Sequence, residues 1–397
     1  MTTIPYYRLS AFYVLYFSTL GSFLPYWSLY LESLGFNAIE IGELLALLVG
    51  TKIIAPNIWG WIADRSGRSI QVIRSASLIA TIAFLGTFEN SGFLWLAGVT
   101  VVFSFFWNAA LPQFEALTLS HLQDNPHGYS RIRLWGSIGF VLTVLLVGRY
   151  LDNHAISGLP VVISVLLAGI WLISIFVPGK PVTSNETGFP SKLGTILREP
   201  VVWSFLVVVC LAQIAHGPYY VFYSIYLQEH GYDNGEIGQL WSLGVIAEVV
   251  LFIYMPWVLK KFTLRSILLI SVLAGAMRWI LIGYFIDLVP VLVFAQLLHA
   301  MTFGSTHVAA VHIVQRYFQP GSHGRGQALY SSMSFGLGGM VGSFASGEMW
   351  DSFGPVAVYG FASAICLLAF GVAWRWFRID EYAGACVLDE KMIEEEL

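Results

Sequence analysis

A small set of ionisable side chains lies inside long apolar stretches of this sequence, where a charge is costly. The set comprises Lys52, Glu115, Arg133, Glu248, Arg278 and His299. In the middle of a membrane such a side chain costs at least about 2.5 kcal/mol, so it usually faces a cavity or a partner. An arginine fork suits a carboxylate ligand, and a carboxylate or an imidazole can take up and release a proton. These residue types indicate anion binding and proton exchange, and no catalytic constellation accompanies them.

Glu115 and Arg133 occupy consecutive apolar stretches, and two interpretations are open for them. They can line a binding site. An anion that reaches Arg133 would then release the Glu115 carboxylate from the arginine or lead to its protonation. They can instead form a structural salt bridge between neighbouring helices. Lys52, alone in its own stretch, can attract the same anion or extend its ammonium group toward the membrane surface.

Glu248, Arg278 and His299 form a second set, on three further apolar stretches. A carboxylate beside an arginine stays ionised, and it takes up a proton when that attraction is removed. Such competition can couple the movement of a proton to that of an anion, with His299 orienting the carboxylate or relaying the proton. The alternative is a static clamp between Glu248 and Arg278, with His299 as a hydrogen-bonded core residue.

Aromatic side chains are candidates to hold the apolar part of a ligand. The candidates are Trp27, Phe140, His216, Tyr219 and Tyr220. The last three surround Pro218, and a helix broken at a proline often lines a cavity. Packing between helices explains aromatic residues at these positions equally well.

The composition shows which elements must position these residues. Hydrophobic residues make up 57% of the chain and charged residues 11%, and the mean hydropathy is +0.71. A soluble domain carries roughly a quarter charged residues, so most of this surface must face something other than water. A membrane helix needs about 20 mostly apolar residues. Twelve such spans are predicted, at 7–31, 38–62, 70–88, 92–120, 131–151, 158–178, 201–228, 235–259, 266–286, 289–317, 326–350 and 355–377.

The basic residues predict the orientation of these spans. Cations such as Arg65, Arg131 and Arg265 precede the first span or follow even-numbered spans, whereas the loops after odd-numbered spans carry mainly acids. Basic loops stay in the cytoplasm, so both termini are expected to be cytoplasmic. We therefore expect a multi-pass protein of the bacterial inner membrane.

The chain divides near its midpoint into two similar halves. A six-helix bundle is expected over 1–178, a polar cytoplasmic linker over 179–200, a second six-helix bundle over 201–378 and an acidic cytoplasmic tail over 379–397. The stretches FLPYWSLYLESLGFNAIEIGELLAL from Phe23 and YYVFYSIYLQEHGYDNGEIGQLWSL from Tyr219 align at a constant offset of 196, with nine identical positions. Duplicated halves suit a transporter, since each half can move as a rigid bundle around a site near the middle of the membrane. Lys52 and Glu248 are paired by this offset and break the symmetry.

The loop after the second span contains a further motif. It reads Gly60-Trp-Ile-Ala-Asp64-Arg65-Ser-Gly67-Arg68 and matches the major facilitator signature G-x-x-x-D-R-x-G-R. The glycines allow a tight turn, and the charged residues can lock neighbouring helix ends in one conformational state. The equivalent stretch of the second half lacks this pattern, so the lock is expected to depend on the first copy.

Over nearly its whole length the sequence resembles the 3-phenylpropionate permease family of the major facilitator superfamily. The likeness is carried by FLPYWSLYL in span 1, RLWGSIGF from Arg133, AHGPYY from Ala215, LWSLGVIAEV from Leu240, MRW from Met277 and LLH at 297–299. This resemblance implies proton-coupled uptake of an aromatic carboxylic acid. The related lactose permeases imply substrate contacts for Glu115 and Arg133, and they match Arg278 and His299. Thr302 stands where those permeases have a glutamate, so their proton pathway is not reproduced.

Together these features predict an all-α membrane protein with twelve transmembrane helices in two pseudo-symmetric six-helix bundles. It is expected to import a small aromatic carboxylate with protons by alternating access. A proton-coupled sugar or nucleoside symporter is the first alternative, and a receptor or sensor that does not transport is the second. The expected partners are the lipid bilayer, a small organic anion and protons, with no nucleic acid, metal or other cofactor. We expect no enzymatic activity and a functional monomer.

Overall fold

The computed structural model describes residues 4–89, 91–122, 127–180, 193–318 and 323–379, and all regular structure in these ranges is helical. The predicted acidic tail from residue 380 and most of the predicted linker, 181–192, lie outside the described residues. The helices are α1 (Tyr6–Phe23), α2 (Trp27–Ser33), α3 (Ala38–Gly50), α4 (Ala55–Ser66), α5 (Ser69–Phe84), α6 (Phe93–His121), α7 (His127–Leu151), α8 (Leu159–Phe176), α9 (Leu193–Ile196), α10 (Pro200–Ala215), α11 (Gly217–Glu229), α12 (Asn234–Lys261), α13 (Leu264–Tyr284), α14 (Val289–His299), α15 (Thr306–Tyr317), α16 (His323–Ser331) and α17 (Gly339–Trp376).

Several predicted spans consist of two helices because a local feature interrupts them. Span 7 changes from α10 to α11 at His216, two residues before Pro218, which lacks the N–H that a helix interior requires. Span 10 continues from α14 to α15 through a π-helical turn, Ala300–Ser305. Span 11 contains a second π-helical turn, Ser332–Gly338. Such wide turns are frequent at functional sites.

The all-helical membrane architecture is confirmed. In the part of the chain that the structure describes, nine helical stretches have the length and hydropathy of a membrane span. One of them, Gly324–Trp376, is 53 residues long and contains Gly354, whose φ of 80° and ψ of 162° break the helix before Pro355. A continuous helix of that length would span roughly 80 Å, more than twice the hydrocarbon thickness. The break is where spans 11 and 12 were predicted to separate, and the total of twelve stays a prediction.

The predicted repeat has a structural counterpart at the beginning of α3 and of α12. Asn37 caps α3 and accepts a hydrogen bond from the backbone N–H of Glu40, whose carboxylate accepts one from the backbone N–H of Asn37. Asp233 and Glu236 make the same reciprocal pair at α12. Capping of this kind satisfies backbone donors that the first helical turn leaves unpaired. The glutamates are related by the offset of 196, which explains why the repeat retains both.

The two halves meet where α3 packs on α17 and α7 packs on α12. Two close approaches bring their backbones together. A Cβ on Gly347 would lie 2.8 Å from the carbonyl oxygen of Ala38, and a Cβ on Gly148 would lie 2.5 Å from that of Asn234. The offset of 196 relates Ala38 to Asn234, so the same position of each half receives one of these approaches.

Hydrogen bonds between the halves cluster at this same end of the bundle, which the predicted orientation places outside the cell. The Tyr26 hydroxyl donates across to the carbonyl oxygen of Asn234 at 3.4 Å, and within its own half to that of Val144 at 2.7 Å. The backbone N–H of Gly235 donates to the Asp152 carboxylate at 3.2 Å. Toward the other end, the described residues show one hydrogen bond between the halves, from Ser332 to the Ile53 carbonyl at 3.5 Å. The halves are therefore joined mainly at the predicted outer end, which we call the outer contact.

Candidate functional site

Arg133 lies on α7, half-buried, on a helix that faces the opposite half. Its guanidinium carbon is 3.9 Å from the centroid of the Phe17 ring and 5.8 Å from that of Tyr13. An arginine over an aromatic face is attracted by the negative charge of that face. Within the described residues the guanidinium makes neither a salt bridge within 4.0 Å nor a hydrogen bond. Its donors therefore remain available to a ligand.

Glu115 lies on α6, half-buried, and the hydroxyl of Tyr129 lies near its carboxylate. The charge of Arg133 acts on this carboxylate, but no salt bridge within 4.0 Å joins the two among the residues described. Tyr129 was not predicted as a site residue. It precedes Arg133 by four residues and so shares its helix face, a spacing that was visible in the sequence.

Glu248 on α12 approaches His299 at the end of α14. The distance from Nε2 of His299 to Oε2 of Glu248 is 3.8 Å, and the two side chains are 8% and 16% exposed. Glu248 packs against the π-helical turn of span 10, since a Cβ on Gly304 would lie 3.1 Å from its Cγ. The wide turn thus leaves room for the carboxylate beside the imidazole.

Arg278 is fully buried on α13, and its partners differ from those of the clamp with Glu248, which the sequence left open as an alternative. It donates to the carbonyl oxygen of Ala295 at 3.0 Å, to Oγ1 of Thr302 at 3.3 Å and to Oε1 of Gln296 at 3.3 Å. Its guanidinium carbon lies 4.3 Å from the centroid of the Tyr219 ring and 4.7 Å from that of Trp279. Among the described residues no carboxylate is in salt-bridge range of Arg278. Its hydrogen bonds and ring contacts hold it in one position.

Neutral residues complete the network around this arginine. Gln296 accepts from the hydroxyl of Tyr219 at 3.1 Å and donates to that of Tyr223 at 2.6 Å. Neither Gln296 nor Tyr223 was predicted, because a neutral side chain in an apolar stretch carries no signal as strong as a charge. The network links α11, α13 and α14 beside His299.

Arg133 connects the two predicted sets of residues. Its charge acts on Glu248 and on His307 in the opposite half, as well as on Glu115 in its own half. The antiparallel helices α7 and α12, which carry Arg133 and Glu248, lie side by side between the halves. Arg133 therefore lies at the interface between the halves, on the helix that packs against the one carrying Glu248.

Lys52 and the aromatic candidates lie in different surroundings. Lys52 is half-buried in a 3-10 turn that contacts the π-helical turn of span 11. Trp27 is buried in a cluster with Phe23, Tyr30 and Phe84 inside the first half. A substrate contact for each of the two residues stays a prediction.

The remaining aromatic candidates are buried or half-buried near the interface. Phe140 lies on α7, where its carbonyl approaches Gly21 of α1. His216, Tyr219 and Tyr220 contact one another and pack around Arg278 and Trp279. Their role in binding also stays a prediction.

The signature loop is exposed at the end opposite the outer contact. Gly67 adopts a φ of 63° and ends α4, a left-handed conformation that favours glycine. Gly60 lies near the side chain of Gln113, and Arg65 lies over the ring of Trp61. Asp64, like Arg68, is exposed, and neither forms a salt bridge with a described residue. The role of this loop as a conformational lock stays a prediction.

Comparisons with known proteins identify the family. The model of the MFS_1 like family matches residues 6–361. The chain belongs to this family. It is 34% identical over 335 residues to the probable 3-phenylpropionic acid transporter of Escherichia coli (strain K12), covering 82% of this chain and 86% of that protein. It is 24% identical to the maltose permease of Geobacillus stearothermophilus, covering 90% of each.

Solved structures agree on the fold. A crystal structure of a mutant of the nucleoside transporter NupG aligns with a TM-score of 0.83 at 18% identity, covering 94% of this chain and 100% of that chain. The protein is therefore a multi-pass inner-membrane transporter of the major facilitator type rather than an enzyme, as predicted.

Proposed function

We propose that this transporter carries a small aromatic carboxylate together with protons by alternating access. The observation that carries the proposal is the position of Arg133. It lies on the helix that packs against α12 of the opposite half, its hydrogen-bond donors are unoccupied by any described residue, and its guanidinium lies over the Phe17 ring. A carboxylate is the ligand that such a fork binds best, and the adjoining rings offer an apolar surface. The relative named as a probable 3-phenylpropionic acid transporter supports the same substrate class.

The coupling follows from competition for one cation. Glu248 and the bound substrate carboxylate are both attracted to Arg133. When the substrate occupies the guanidinium, Glu248 loses part of the attraction that favours its ionised form and takes up a proton. His299, 3.8 Å from Glu248, orients that carboxyl group. Arg133 is then paired with the substrate carboxylate and Glu248 is neutral. The loaded site can therefore close and reopen on the other side without burying the unpaired charge of either residue.

In the conformational cycle, the two ends of the helix bundle open alternately. With the outer contact formed and the signature loop exposed, the site communicates with the predicted cytoplasmic end. Outward opening would separate Gly347 from Ala38 and Gly148 from Asn234 and engage the loop at Asp64. Both termini are proposed to be cytoplasmic, and one copy of the chain is proposed to suffice, since the site lies between the halves of a single chain.

The test is uptake of labelled 3-phenylpropionate into proteoliposomes with and without an imposed inward proton gradient. Saturable uptake that the gradient accelerates is expected. Arg133→Ala should abolish saturable uptake and Arg133→Lys should retain a small part of it, because lysine keeps the charge but not the fork. Arg131→Ala, an exposed arginine two residues away on the same helix, is the matched control and should transport normally.

Competition with a neutral analogue separates the proposal from its first alternative. The amide of 3-phenylpropionate should compete poorly, because it lacks the charge that Arg133 binds. The maltose permease and nucleoside transporter relatives favour a neutral, hydroxylated substrate instead. Equal competition by maltose or by a nucleoside, with no saturable uptake of the aromatic acid, would favour that alternative and refute the carboxylate assignment.

A further inference from the structure

A group of cations lies on the second half at the end opposite the outer contact, the predicted cytoplasmic end. We call the group the basic cluster, and its members are Lys260, Lys261, Arg265, Arg375 and Arg378. The first three surround the turn between α12 and α13, and the last two lie at the end of α17 or just after it. The guanidinium of Arg265 donates to the carbonyl oxygen of Trp374 at 2.9 Å. This hydrogen bond brings the turn and the end of α17 together.

No acid balances the charge of the basic cluster in its own segments. Neither 257–265 nor 374–379 contains Asp or Glu. Among the residues that the structure describes, the ion pairs within 4.0 Å involve other side chains. Four of the cations are exposed and Arg265 is half-buried. Like charges gathered in this way repel one another, so the cluster favours an anion from outside the protein.

Exposed tryptophans accompany these cations. The Nζ atom of Lys261 lies 4.3 Å from the centroid of the Trp257 ring, and the guanidinium carbon of Arg265 lies 5.4 Å from that of Trp374. The two indoles are 53% and 60% exposed, near the ends of helices long enough to cross a membrane. Tryptophan in this position lies at the level of the lipid headgroups. The cations beside these rings therefore lie at the depth of the lipid phosphates.

The first half provides an internal comparison. The offset of 196 relates Trp257 and Lys261 to Trp61 and Arg65, whose ring and guanidinium make the same kind of contact at 5.6 Å. The same offset places the acid of the signature motif at the position of Lys260. Both halves thus retain a cation over an interfacial tryptophan. The first-half loop adds an acid, whereas the second-half loop adds a further cation.

We infer that the basic cluster binds the phosphate group of an anionic phospholipid from the membrane leaflet at this end. Phosphate accepts hydrogen bonds from an arginine fork, and the guanidinium nitrogens of Arg265 other than the one bonded to Trp374 have no partner among the described residues. Helix α13 begins at Leu264 in the same turn, and a helix N-terminus attracts anions. A zwitterionic headgroup carries its own cation, which the cluster repels. This inference goes beyond the proposed function and does not depend on the substrate.

The experiment measures which lipids the full-length protein retains. Protein in mixed micelles with equal amounts of phosphatidylglycerol and phosphatidylcholine would be examined by native mass spectrometry, and the parent should retain mainly phosphatidylglycerol. Each cation near an anionic lipid contributes about fivefold to association. Lys260→Gln combined with Lys261→Gln should therefore lower the ratio of the two retained lipids by about 25-fold. Lys260→Arg combined with Lys261→Arg keeps both charges and should preserve the ratio.

Arg8→Gln combined with Arg131→Gln is the matched control, because it removes two exposed cations from the same end of the first half. It should leave the ratio unchanged. An equal loss in this control, or equal retention of the two lipids by the parent protein, would refute the inference. Displacement of the lipid by millimolar glycerol 3-phosphate would show a site for soluble phosphates and would refute the lipid as occupant. A preference that appears only after deletion of residues 380–397 would show that the acidic tail occupies the cluster, which would also contradict the inference.

Discussion

Enlarging the glycines of the outer contact should shift the protein toward its outward-open state. A Cβ on Gly148 would lie 2.5 Å from the carbonyl oxygen of Asn234, and one on Gly347 would lie 2.8 Å from that of Ala38. Comfortable contacts between such atoms begin near 3.5 Å. Gly148→Ala therefore requires α7 and α12 to separate by roughly 1 Å, and Gly347→Ala requires a similar shift of α17 from α3.

The magnitude follows from the cost of overpacking a close contact, about 1–3 kcal/mol. That cost falls on the outer-closed state alone, because the opposed backbones separate when this end opens. Each substitution should therefore multiply the ratio of outward-open to outward-closed protein by about 5 to 150. The two contacts lie on different helix pairs, so the double variant should approach the sum of the two free energies.

Spin labels at the exposed positions Asn153 and Gln228 would report this change, since they lie near the outer contact on opposite halves. Pulsed electron paramagnetic resonance should show a longer-distance population that grows from the parent protein through the single variants to the double variant. Gly371→Ala is the control, because a Cβ there meets no atom within 4 Å. An unchanged distance distribution in the folded double variant, or an equal change in the control, would refute the role given to these glycines.

Three further predictions concern single substitutions. Arg278→Lys should lower the free energy of unfolding by about 3 kcal/mol, because lysine cannot reproduce three hydrogen bonds and two ring contacts. An unchanged midpoint of thermal unfolding in detergent would contradict this prediction. Asp152→Ala should favour the longer spin-label distance by only about 0.5 kcal/mol, because the Asp152 carboxylate is exposed to solvent where it accepts a hydrogen bond from Gly235 at the beginning of α12. An effect as large as that of the glycine substitutions would be inconsistent with this contact. Asn37→Ala and Asp233→Ala should each lower the free energy of unfolding by about 1 kcal/mol, because each removes a helix cap. A large difference between the two variants would show that the repeated caps are not equivalent.

The fold was predictable because its signals are local and repeated. Apolar stretches of membrane length appear directly in the hydropathy, and the repeat is visible because Glu40 and Glu236 are retained in equivalent capping boxes. The π-helical turns at Ala300–Ser305 and Ser332–Gly338 were not predicted. They depend on packing between helices that are distant in sequence, and no local residue type specifies them.

The candidate site was predictable where a charge identified it. Arg133 and Glu115 stand out in apolar stretches, and the structure places them on the long helices α7 and α6; their roles stay predictions. The partners of Arg278 could not be predicted, because Gln296, a neutral side chain, is the one that packs beside the guanidinium. Hydrogen bonds from neutral residues depend on the positions of three helices, which hydropathy does not determine.

The central claim is that Glu248 carries the coupled proton. It is tested most directly by measuring gradient-driven accumulation and substrate exchange separately in Glu248→Gln. Proteoliposomes would be assayed for uptake of labelled 3-phenylpropionate under an inward proton gradient and for counterflow against unlabelled substrate without a gradient. Glu348→Gln, an exposed glutamate of span 11, is the control and should retain both activities. Loss of accumulation with counterflow preserved is the predicted result for Glu248→Gln, because the glutamine mimics the protonated carboxyl group and still permits the loaded site to reorient. Accumulation equal to that of the parent protein would show that Glu248 does not carry the coupled proton and would contradict the proposed mechanism.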